Sequence, residues 1–586
     1  MTSQTSTTPR VGVRQGRANP FRTAVRRVRA SDLTARRLLP VGVLAVGMVV
    51  NAVILVMHSS RVWFWADDWD LLFLRGTIPE YDEGLLAPHN SHWFTAHVLV
   101  YRAIFMAFGM GSYTPYAVTE VCFHLAVVAV SYALLRRVGA GPWISVLTAL
   151  VITFFGLGAN AEVYAASMNH VGALLFGLVA VLVAASGRFD VRTQVLASGA
   201  LLLSVMFGLT GLAMLVLVAT FVAAQHGLVR AARLVAPPAL VFVAWWVTFG
   251  RSDGVNSVSP TTDLSESVPK IPSYVWTGLT GTLGDGSGLT GAGPLLVIAL
   301  FAFMLVSRAQ PTRLVHLAWA GIVADIFQLV VVGVARFDFG PTQLGTSHYS
   351  YINIVLLAPA IALAGTQLAQ WLGEPRWRSA VLAAALLVAY ALNSVTYVQK
   401  WQDDFATLTG GGKDLALGIV AAMENDQRVL SQRNPDRFNK QLIPRYVGTP
   451  QIRDALPDKE PTANGLLSAE SYFFTGVSEK DYAMARPADL TPYAGFAAQA
   501  FERGCQPVQA TGAEPILELQ TGDEGNEIVV WSNSTNIKTR LVRGKDEGPT
   551  MDWKAEPGAM HIATSAPDAT MFISFNGSGT FTVCVA

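Results

Sequence analysis

Long apolar runs dominate this chain and limit what it can fold into more than any other feature. A helix needs roughly 20 mainly apolar residues to cross a bilayer. Charged residues make up only 14% of the 586 residues, whereas a soluble globular protein has roughly 25%. The sequence therefore predicts a mainly α fold, a polytopic transmembrane helix bundle of about eleven spans. The predicted spans are 38–58, 115–135, 142–157, 168–186, 194–207, 209–224, 234–249, 293–308, 314–334, 351–371 and 379–397.

Arginine pairs mark every second connection between the predicted spans. Basic residues concentrate on the cytoplasmic side of membrane proteins, so the pattern predicts a multi-pass plasma-membrane protein with a cytoplasmic N-terminus and an extracytoplasmic C-terminus. The pattern also excludes the apolar segment 91–110 as a span, because counting it would place every later arginine pair outside the cell. This segment is instead expected to lie along the outer interface as a helix. The pairs are Arg136 and Arg137, Arg188 and Arg192, Arg230 and Arg233, Arg308 and Arg313, and Arg376 and Arg378.

The N-terminal segment is strongly basic. Residues 1–37 contain nine arginines and one acid, Asp32, and Ser, Thr, Gln and Pro fill much of the rest. Such a composition buries too little apolar surface to fold by itself. Residues 1–37 are therefore predicted to be a disordered cytoplasmic tail that contacts anionic lipids.

Residues 38–397 form the predicted transmembrane domain. Its longest connection, residues 59–114 (the first outer loop), has room for two interfacial helices, around Asp67–Leu74 and Trp93–Phe108. A further outer connection, about 250–292, is rich in Ser, Thr, Gly and Pro and is predicted to be mobile.

The composition changes after about residue 398. Residues 398–586 (the outer domain) are predicted to form an extracytoplasmic α+β domain with a helix over Asp414–Gln432. From about residue 510 the chain alternates apolar and polar residues, which predicts a small β-sandwich. Cys505 and Cys584 can form a disulfide outside the cell, but their pairing cannot be read from sequence alone. The predicted strands are Ile516–Leu519, Glu527–Trp531, Lys538–Val542, His561–Thr564, Thr570–Phe575 and Thr580–Val585.

Three carboxylates occur within four residues of the aromatic segment Trp63–Asp70, at the start of the first outer loop. Acids suit the first turn of a helix, which explains one aspartate more easily than two. Adjacent acids at a poorly hydrated surface should have a raised pKa, as a general base requires. Asp67 and Asp68 are therefore the candidate catalytic residues, without a choice between them, and Asp70 is expected on the helix surface.

Glu162 is the next candidate catalytic acid. It lies in a very short outer connection, Gly158–Tyr164, so it is expected close to the membrane surface and to the first outer loop. Ionisable residues at membrane depth are costly and are commonly functional. Glu120 and His124 are one helical turn apart in a predicted span, and they either pair with each other or line a cavity.

His89 and His92 are the candidate substrate-binding residues of the first outer loop. They are expected to hydrogen-bond a sugar or a phosphate. Two histidines three residues apart also offer nitrogen ligands to a metal, but the spacing alone predicts no metal site. No cofactor is assigned, and a divalent cation beside the acids is left open.

Further substrate-binding candidates come from two later outer connections. Arg336, His348 and Tyr349 occur in one of them, and Arg251 occurs in the other. The planar fork of an arginine matches phosphate oxygens, although Arg336 is also near Asp338 in sequence. These residues are therefore candidates for binding the phosphate of a lipid-linked substrate.

This layout resembles the GT-C glycosyltransferases, polytopic enzymes that use polyprenyl-phosphate-linked sugars. The resemblance rests on the N-in bundle, on the acids of Ala66-Asp-Asp-Trp69 at the start of a long first outer loop, on an acid in the next outer connection, and on the outer domain. It covers roughly residues 38–397. It implies that Asp67 or Asp68 deprotonates the acceptor hydroxyl, that Glu162 assists, and that Arg336 and His348 hold the donor phosphate.

The resemblance also implies the substrates. The composition is similar to that of proteins from actinobacteria. In these organisms, enzymes of this kind transfer a hexosyl or pentosyl group from a polyprenyl phosphate to an envelope glycan or lipid acceptor. The chain has no Gly-x-x-x-x-Gly-Lys-[Ser/Thr] phosphate loop, and no nucleic-acid partner is expected. The alternative function is a transporter or flippase of a lipid-linked envelope precursor. Transporters bind their substrates near the bilayer midplane, and Asp325 lies near the middle of a predicted span.

Overall fold

The computed structural model of the chain is mainly helical and ends in two β-sheets. It describes residues 20–57, 59–90, 92–187, 189–251, 268–289, 291–307, 312–335, 347–372, 376–433, 435, 439–478, 504–510, 516–521, 526–532, 536–554, 558–575 and 579–585. The helices are α1 (Pro20–Met57), α2 (Asp67–Phe73), α3 (Thr95–Phe108), α4 (Thr114–Val138), α5 (Pro142–Thr153), α6 (Ala159–Val163), α7 (Met168–Ala184), α8 (Val191–Phe207), α9 (Thr210–His226), α10 (Leu228–Trp245), α11 (Ile271–Gly284), α12 (Gly293–Val306), α13 (Thr312–Ala335), α14 (Ser347–Leu372), α15 (Arg376–Glu424), α16 (Pro444–Val447), α17 (Pro450–Arg453) and α18 (Ala463–Phe473).

Each of the eleven predicted spans overlaps one of these helices. Within the described ranges, six helices are long and apolar enough to cross a membrane, or seven if the bent segment that contains α5 and α6 is one span. Helices α8, α9 and α12 are apolar but shorter. The chain is thus a helical membrane protein, as its fold class predicts, and the number of spans and the side of each end remain predictions.

The bundle is built around α7. This helix packs against α4, α8 and α9, and α9 in turn packs against α13, which contacts α14. Val171, Leu174, Val218 and Leu363 are among the fully buried residues at these contacts. Close side-chain packing of this kind holds helices together in lipid, where the hydrophobic effect between helices is absent.

Two predicted irregular segments are partly helical. Helix α1 begins at Pro20, within the tail expected to be disordered, because its arginines and alanines favour helix and continue directly into the first span. Helix α11 (Ile271–Gly284) occupies about a third of the connection predicted to be mobile. Tyr274 and Leu279 are buried against neighbouring helices, so this part of the prediction is wrong: the high Ser, Thr and Gly content concealed an apolar face.

The first outer loop and the outer domain share one apolar core. The two helices predicted within the loop are present as α2 and α3, and their position at the membrane interface remains a prediction. Buried Trp63 and Phe73 of the loop belong to the same cluster as Phe405, Ile419 and Phe473 of the outer domain. Helix α15 runs without interruption across residue 397, the predicted domain boundary. The loop is therefore enclosed between the bundle and the outer domain.

The C-terminal part forms two antiparallel sheets, with strand orders β1-β8-β4-β10-β2 and β3-β9-β5-β6, and β7 pairs with β5. All six predicted strands are confirmed, whereas β1, β2, β6 and β7 were not predicted. The register places Cys584 opposite Cys505, and their disulfide remains a prediction. The strands are β1 (Thr475–Ser478), β2 (Gly504–Ala510), β3 (Ile516–Gln520), β4 (Asn526–Ser532), β5 (Asn536–Arg543), β6 (Asp546–Glu547), β7 (Met551–Lys554), β8 (Gly558–Thr564), β9 (Thr570–Phe575) and β10 (Gly579–Val585).

Candidate functional site

The chain turns sharply before α2 and brings two acids into its first turn. Ala66 has a φ of 48°, in the left-handed region that residues other than glycine seldom adopt. Backbone conformations of this kind concentrate at functional sites. Asp67 and Asp68 follow Ala66 directly and begin the helix.

Tryptophan hydrogen bonds hold α2 against its surroundings. Trp63 donates from its backbone N–H to Thr409 Oγ1 at 3.0 Å and from its indole to the Met110 carbonyl at 3.2 Å. The Trp69 indole donates to Asn439 Oδ1 at 3.1 Å. Since Thr409 and Asn439 belong to the outer domain, that domain fixes the position of the acids.

Asp68 is fully buried, and both of its oxygens accept hydrogen bonds. Oδ2 accepts one from the Trp65 backbone N–H at 2.9 Å, and Oδ1 accepts one from the Tyr101 hydroxyl at 2.5 Å. Burial raises the pKa of Asp68 to about 8; the hydrogen bonds from Tyr101, Trp65 and Tyr113 lower it, and the charge of Asp67 raises it. Asp68 is therefore mostly protonated at neutral pH.

Asp67 has the opposite pKa shift. Its side chain is 49% exposed, and its Oδ1 lies 3.5 Å from His89 Nε2. Burial of the remaining surface raises its pKa, but the hydrogen bond from His89 and the positive potential of His89, His92 and Lys440 outweigh burial, so the pKa lies below its usual value. Asp67 is therefore ionised at neutral pH and open to a ligand.

A third carboxylate joins this group through His89. Asp70 Oδ2 lies 3.8 Å from His89 Nδ1, and both side chains are buried, so the expectation that Asp70 lies on the helix surface is wrong. Asp67, Asp70 and His89 each place a donor atom within 4.8 Å of the others, the one such group in the part of the chain that the structure describes. Two carboxylate oxygens and an imidazole nitrogen could hold Mn²⁺ or Zn²⁺.

Arg75, which no sequence pattern marks, fixes the loop that carries His89. It is buried, and its guanidinium donates to the carbonyls of Gly84 at 3.3 Å, Ala87 at 2.8 Å and Pro88 at 2.6 Å. Because Pro88 directly precedes His89, these bonds set the position of the imidazole. A single arginine shortly after α2 gave no sequence signal for this role.

A row of aromatic rings extends from His92. His92 Nδ1 accepts a hydrogen bond from the Leu209 N–H at 3.2 Å, and its ring lies 6.3 Å from that of His170. His170 stacks on His348 with the ring centroids 5.1 Å apart, and the ring centroids of His348 and Tyr349 are 4.1 Å apart. Three of the predicted substrate-binding residues thus lie together, although they come from distant parts of the sequence.

The predicted phosphate-binding arginines are not among these residues. Arg336 lies outside the described residues, so its role remains a prediction. Arg251 is exposed after α10, and no contact in the described ranges joins it to Asp67, His89 or His348.

Glu162 is buried among the helices, and its expected position close to the membrane surface remains a prediction. Residues 159–163 form helix α6, which continues the bent α5 segment instead of a loop. Glu162 is 1% exposed, and its Oε1 meets no hydrogen-bond donor among the described residues. The same segment still contacts the acids' surroundings, because the Tyr164 hydroxyl donates to the Trp65 carbonyl at 2.7 Å.

Glu120 is a second acid buried in the bundle. It interacts electrostatically with Glu162, and neither of its oxygens meets a donor in the described ranges. His124 hydrogen-bonds to Asn51 at 3.3 Å and to the Tyr351 hydroxyl at 2.7 Å. Of the two alternatives for Glu120 and His124, direct pairing is therefore not observed.

Comparison with known proteins gives structural neighbours only. No protein-family model matches the chain, and no curated protein sequence matches it. The archaeal oligosaccharyltransferase AglB from Archaeoglobus fulgidus, in complex with an inhibitory peptide and a dolichol-phosphate, is 13% identical with a TM-score of 0.39. A second structure of an A. fulgidus oligosaccharyltransferase, tethered to an acceptor peptide containing the NVT sequon, is 14% identical with a TM-score of 0.36.

Both matches cover 67% of this chain and 59% of the neighbour. The chain thus spans less than two thirds of the length of either oligosaccharyltransferase. TM-scores below 0.5 establish neither a shared site nor a shared substrate.

Proposed function

We propose that this protein is an integral membrane glycosyltransferase that moves a sugar from a polyprenyl-phosphate donor to a cell-envelope glycan or lipid acceptor on the outer face. One observation carries the proposal: of two adjacent aspartates on α2, Asp67 is half exposed beside His89, whereas Asp68 is buried with both oxygens hydrogen-bonded. Two carboxylates whose environments separate their pKa values are a recurring arrangement in acid–base catalysis.

Asp67 is the proposed general base. A general base must first reach the proton that it removes, and its pKa matters second. Asp67 has an exposed, ionised carboxylate, whereas Asp68 is buried with both oxygens occupied. His89 orients Asp67 from its buried side. The hydrogen bond from Arg75 to the carbonyl of Pro88 fixes the position of His89.

The proposed reaction is a single displacement. The acceptor hydroxyl gives its proton to Asp67 as its oxygen forms a bond to the anomeric carbon of the donor. The bond from that carbon to the phosphate oxygen breaks, its electron pair leaves with the polyprenyl phosphate, and the anomeric centre inverts. His92 and His348 are proposed to contact the substrate, and His170, whose ring nitrogens bond to Asn169 and Thr210, packs beside both rings. The structure joins Glu162 to neither aspartate, so we propose no direct step for it.

Purified protein in proteoliposomes tests this function. Synthetic polyprenyl-phosphate pentoses and hexoses, offered with envelope glycan fragments, should give a glycosylated product with wild type and not with Asp67→Asn. Equal product with Asp67→Asn contradicts the proposed base. Movement of a fluorescent lipid-linked sugar across the bilayer, without any product, favours the transporter alternative.

The same assay tests the metal question. Activity that is lost on treatment with EDTA and restored by Mn²⁺ or Zn²⁺ would assign Asp67, Asp70 and His89 to a metal ion, and the base would then have to be another group. Unchanged activity after EDTA supports Asp67 as the base.

A further inference from the structure

Part of the outer domain lies along helix α2. The Trp69 indole donates to Asn439 Oδ1 at 3.1 Å, and the rings of Phe73 and Tyr446 are 5.9 Å apart. Trp69 and Phe73 are one helical turn apart, so the segment Asn439–Tyr446 follows α2 from its first turn to its last. Leu442 of this segment is buried in the core that it shares with α2.

Helix α15 holds the other side of this segment. A side-chain carbon added at Gly412 would lie 3.3 Å from Asn439 Oδ1, which is tighter than most contacts allow. Asn439 is thus confined between α15 and Trp69, and both contacts fix the backbone of the next residue, Lys440. Lys440 is partly exposed and interacts electrostatically with Asp67.

The charge balance around Asp67 makes Lys440 significant. Asp67 is ionised, and a phosphate approaching it is repelled unless a cation offsets its charge. A lysine ammonium is a compact charge that binds phosphate oxygens well. A cation is worth most where negative charge develops during the reaction, which here is the phosphate oxygen that leaves the anomeric carbon.

We propose that Lys440, supplied by the outer domain, binds the phosphate group of the lipid-linked donor beside Asp67. The proposal rests on the proposed function for the identity of the donor. It assigns the outer domain a direct part in substrate binding, in addition to enclosing the first outer loop. The segment Asn439–Tyr446 positions this lysine, and Trp69 couples it to the helix that carries the base.

Lipid binding by the full-length protein in nanodiscs tests the proposal. Undecaprenyl phosphate, which carries no sugar, should bind Lys440→Gln about ten-fold or more weakly than wild type, because a charged hydrogen-bond donor is lost. Lys440→Arg keeps the charge and should retain most of the affinity. Lys545→Gln, in the exposed turn between β5 and β6, is the matched control and should bind normally.

Two further arms identify the ligand. Undecaprenol lacks the phosphate and should bind all variants equally. If Lys440→Gln binds undecaprenyl phosphate normally but has a raised KM for the acceptor, the lysine contacts the acceptor and the proposal is overturned. Equal weakening of undecaprenol and undecaprenyl phosphate would also overturn it, because the effect would then be structural.

A measurement on the unmodified protein covers the case in which the variant does not fold. Undecaprenyl phosphate should slow acetylation of Lys440, measured by mass spectrometry, and should leave Lys545 unchanged. Equal acetylation of Lys440 with and without the lipid contradicts the proposal. This readout does not depend on sugar transfer, so the lysine and the proposed glycosyltransferase activity can fail separately.

Discussion

Two groups of acids in this protein differ in the hydrogen-bond donors that they meet. At α2, Asp68 accepts hydrogen bonds from a backbone N–H and from the Tyr101 hydroxyl, and His89 faces Asp67. Inside the bundle, both oxygens of Glu120 and one of Glu162 meet no donor in the described part of the chain. A dehydrated carboxylate needs donors or an opposite charge to remain ionised.

The difference indicates where the chemistry takes place. The α2 group has one open, ionised carboxylate supported by imidazole and lysine, so it can exchange a proton with a bound substrate. The bundle pair is sealed from solvent and lacks such support. Exposure therefore separates Asp67, the proposed base, from the buried acids Asp68, Glu120 and Glu162.

The largest expected effect separates the two aspartates of α2. Asp67→Asn should lower the rate of sugar transfer by about 10²–10⁴-fold, the usual contribution of a general base. Asp68→Asn should cost less than about ten-fold at pH 7, since Asp68 is already mostly protonated there and an amide can accept from the Trp65 N–H and donate to Tyr101. Initial rates in proteoliposomes check both values, and the reverse order would reassign the base to Asp68.

The next prediction tests the bundle pair. Glu162→Gln should lower the transfer rate by less than about ten-fold, because general-base catalysis requires contact with the substrate and Glu162 is 1% exposed. Glu162→Asp, which keeps the carboxyl group but shortens the side chain, is the matched control. A loss from Glu162→Gln as large as that from Asp67→Asn would remove the distinction between the two groups.

The sequence predicts where helices occur along the chain better than it predicts which residues contact one another in the folded protein. Apolar runs locate all eleven helical segments, because lipid imposes one length and one composition on each. The acids of α2 were also predicted, because Asp67 and Asp68 stand out in an aromatic segment. Arg75, Asn439 and Lys440 were missed, since their roles depend on contacts across the loop or with a distant domain.

Glu162 shows that the sequence does not predict whether a short polar segment is buried. Its segment is polar and short enough to be taken for a loop, yet α6 continues a bent span and turns the side chain inward. Whether a short polar segment between two apolar runs faces water or protein depends on the angle between helices, and no local pattern of residues encodes that angle.

The third prediction concerns pH and stability. Asp68 has a folded-state pKa of about 8 and a reference pKa of 3.8, so between these values the folded protein holds a proton that the unfolded chain has lost. Its contribution to stability therefore falls as pH rises through this window, by at most about 1.4 kcal/mol per pH unit, and is lowest above pH 8. Thermal unfolding of wild type and Asp68→Asn should give a smaller pH dependence in the variant. Identical pH dependence would mean that Asp68 is ionised in the folded protein at neutral pH.

The smallest expected effect lies in the bundle. Glu120→Gln keeps the shape of the side chain and removes a carboxylate that has no hydrogen-bond donor in the described part of the chain, so it should stabilise the protein by about 1 kcal/mol. Thermal unfolding in detergent at fixed pH measures this change. A clear loss of stability in Glu120→Gln would mean that a cation or an ordered donor normally supports Glu120, and the bundle pair would then resemble the α2 group in holding charge.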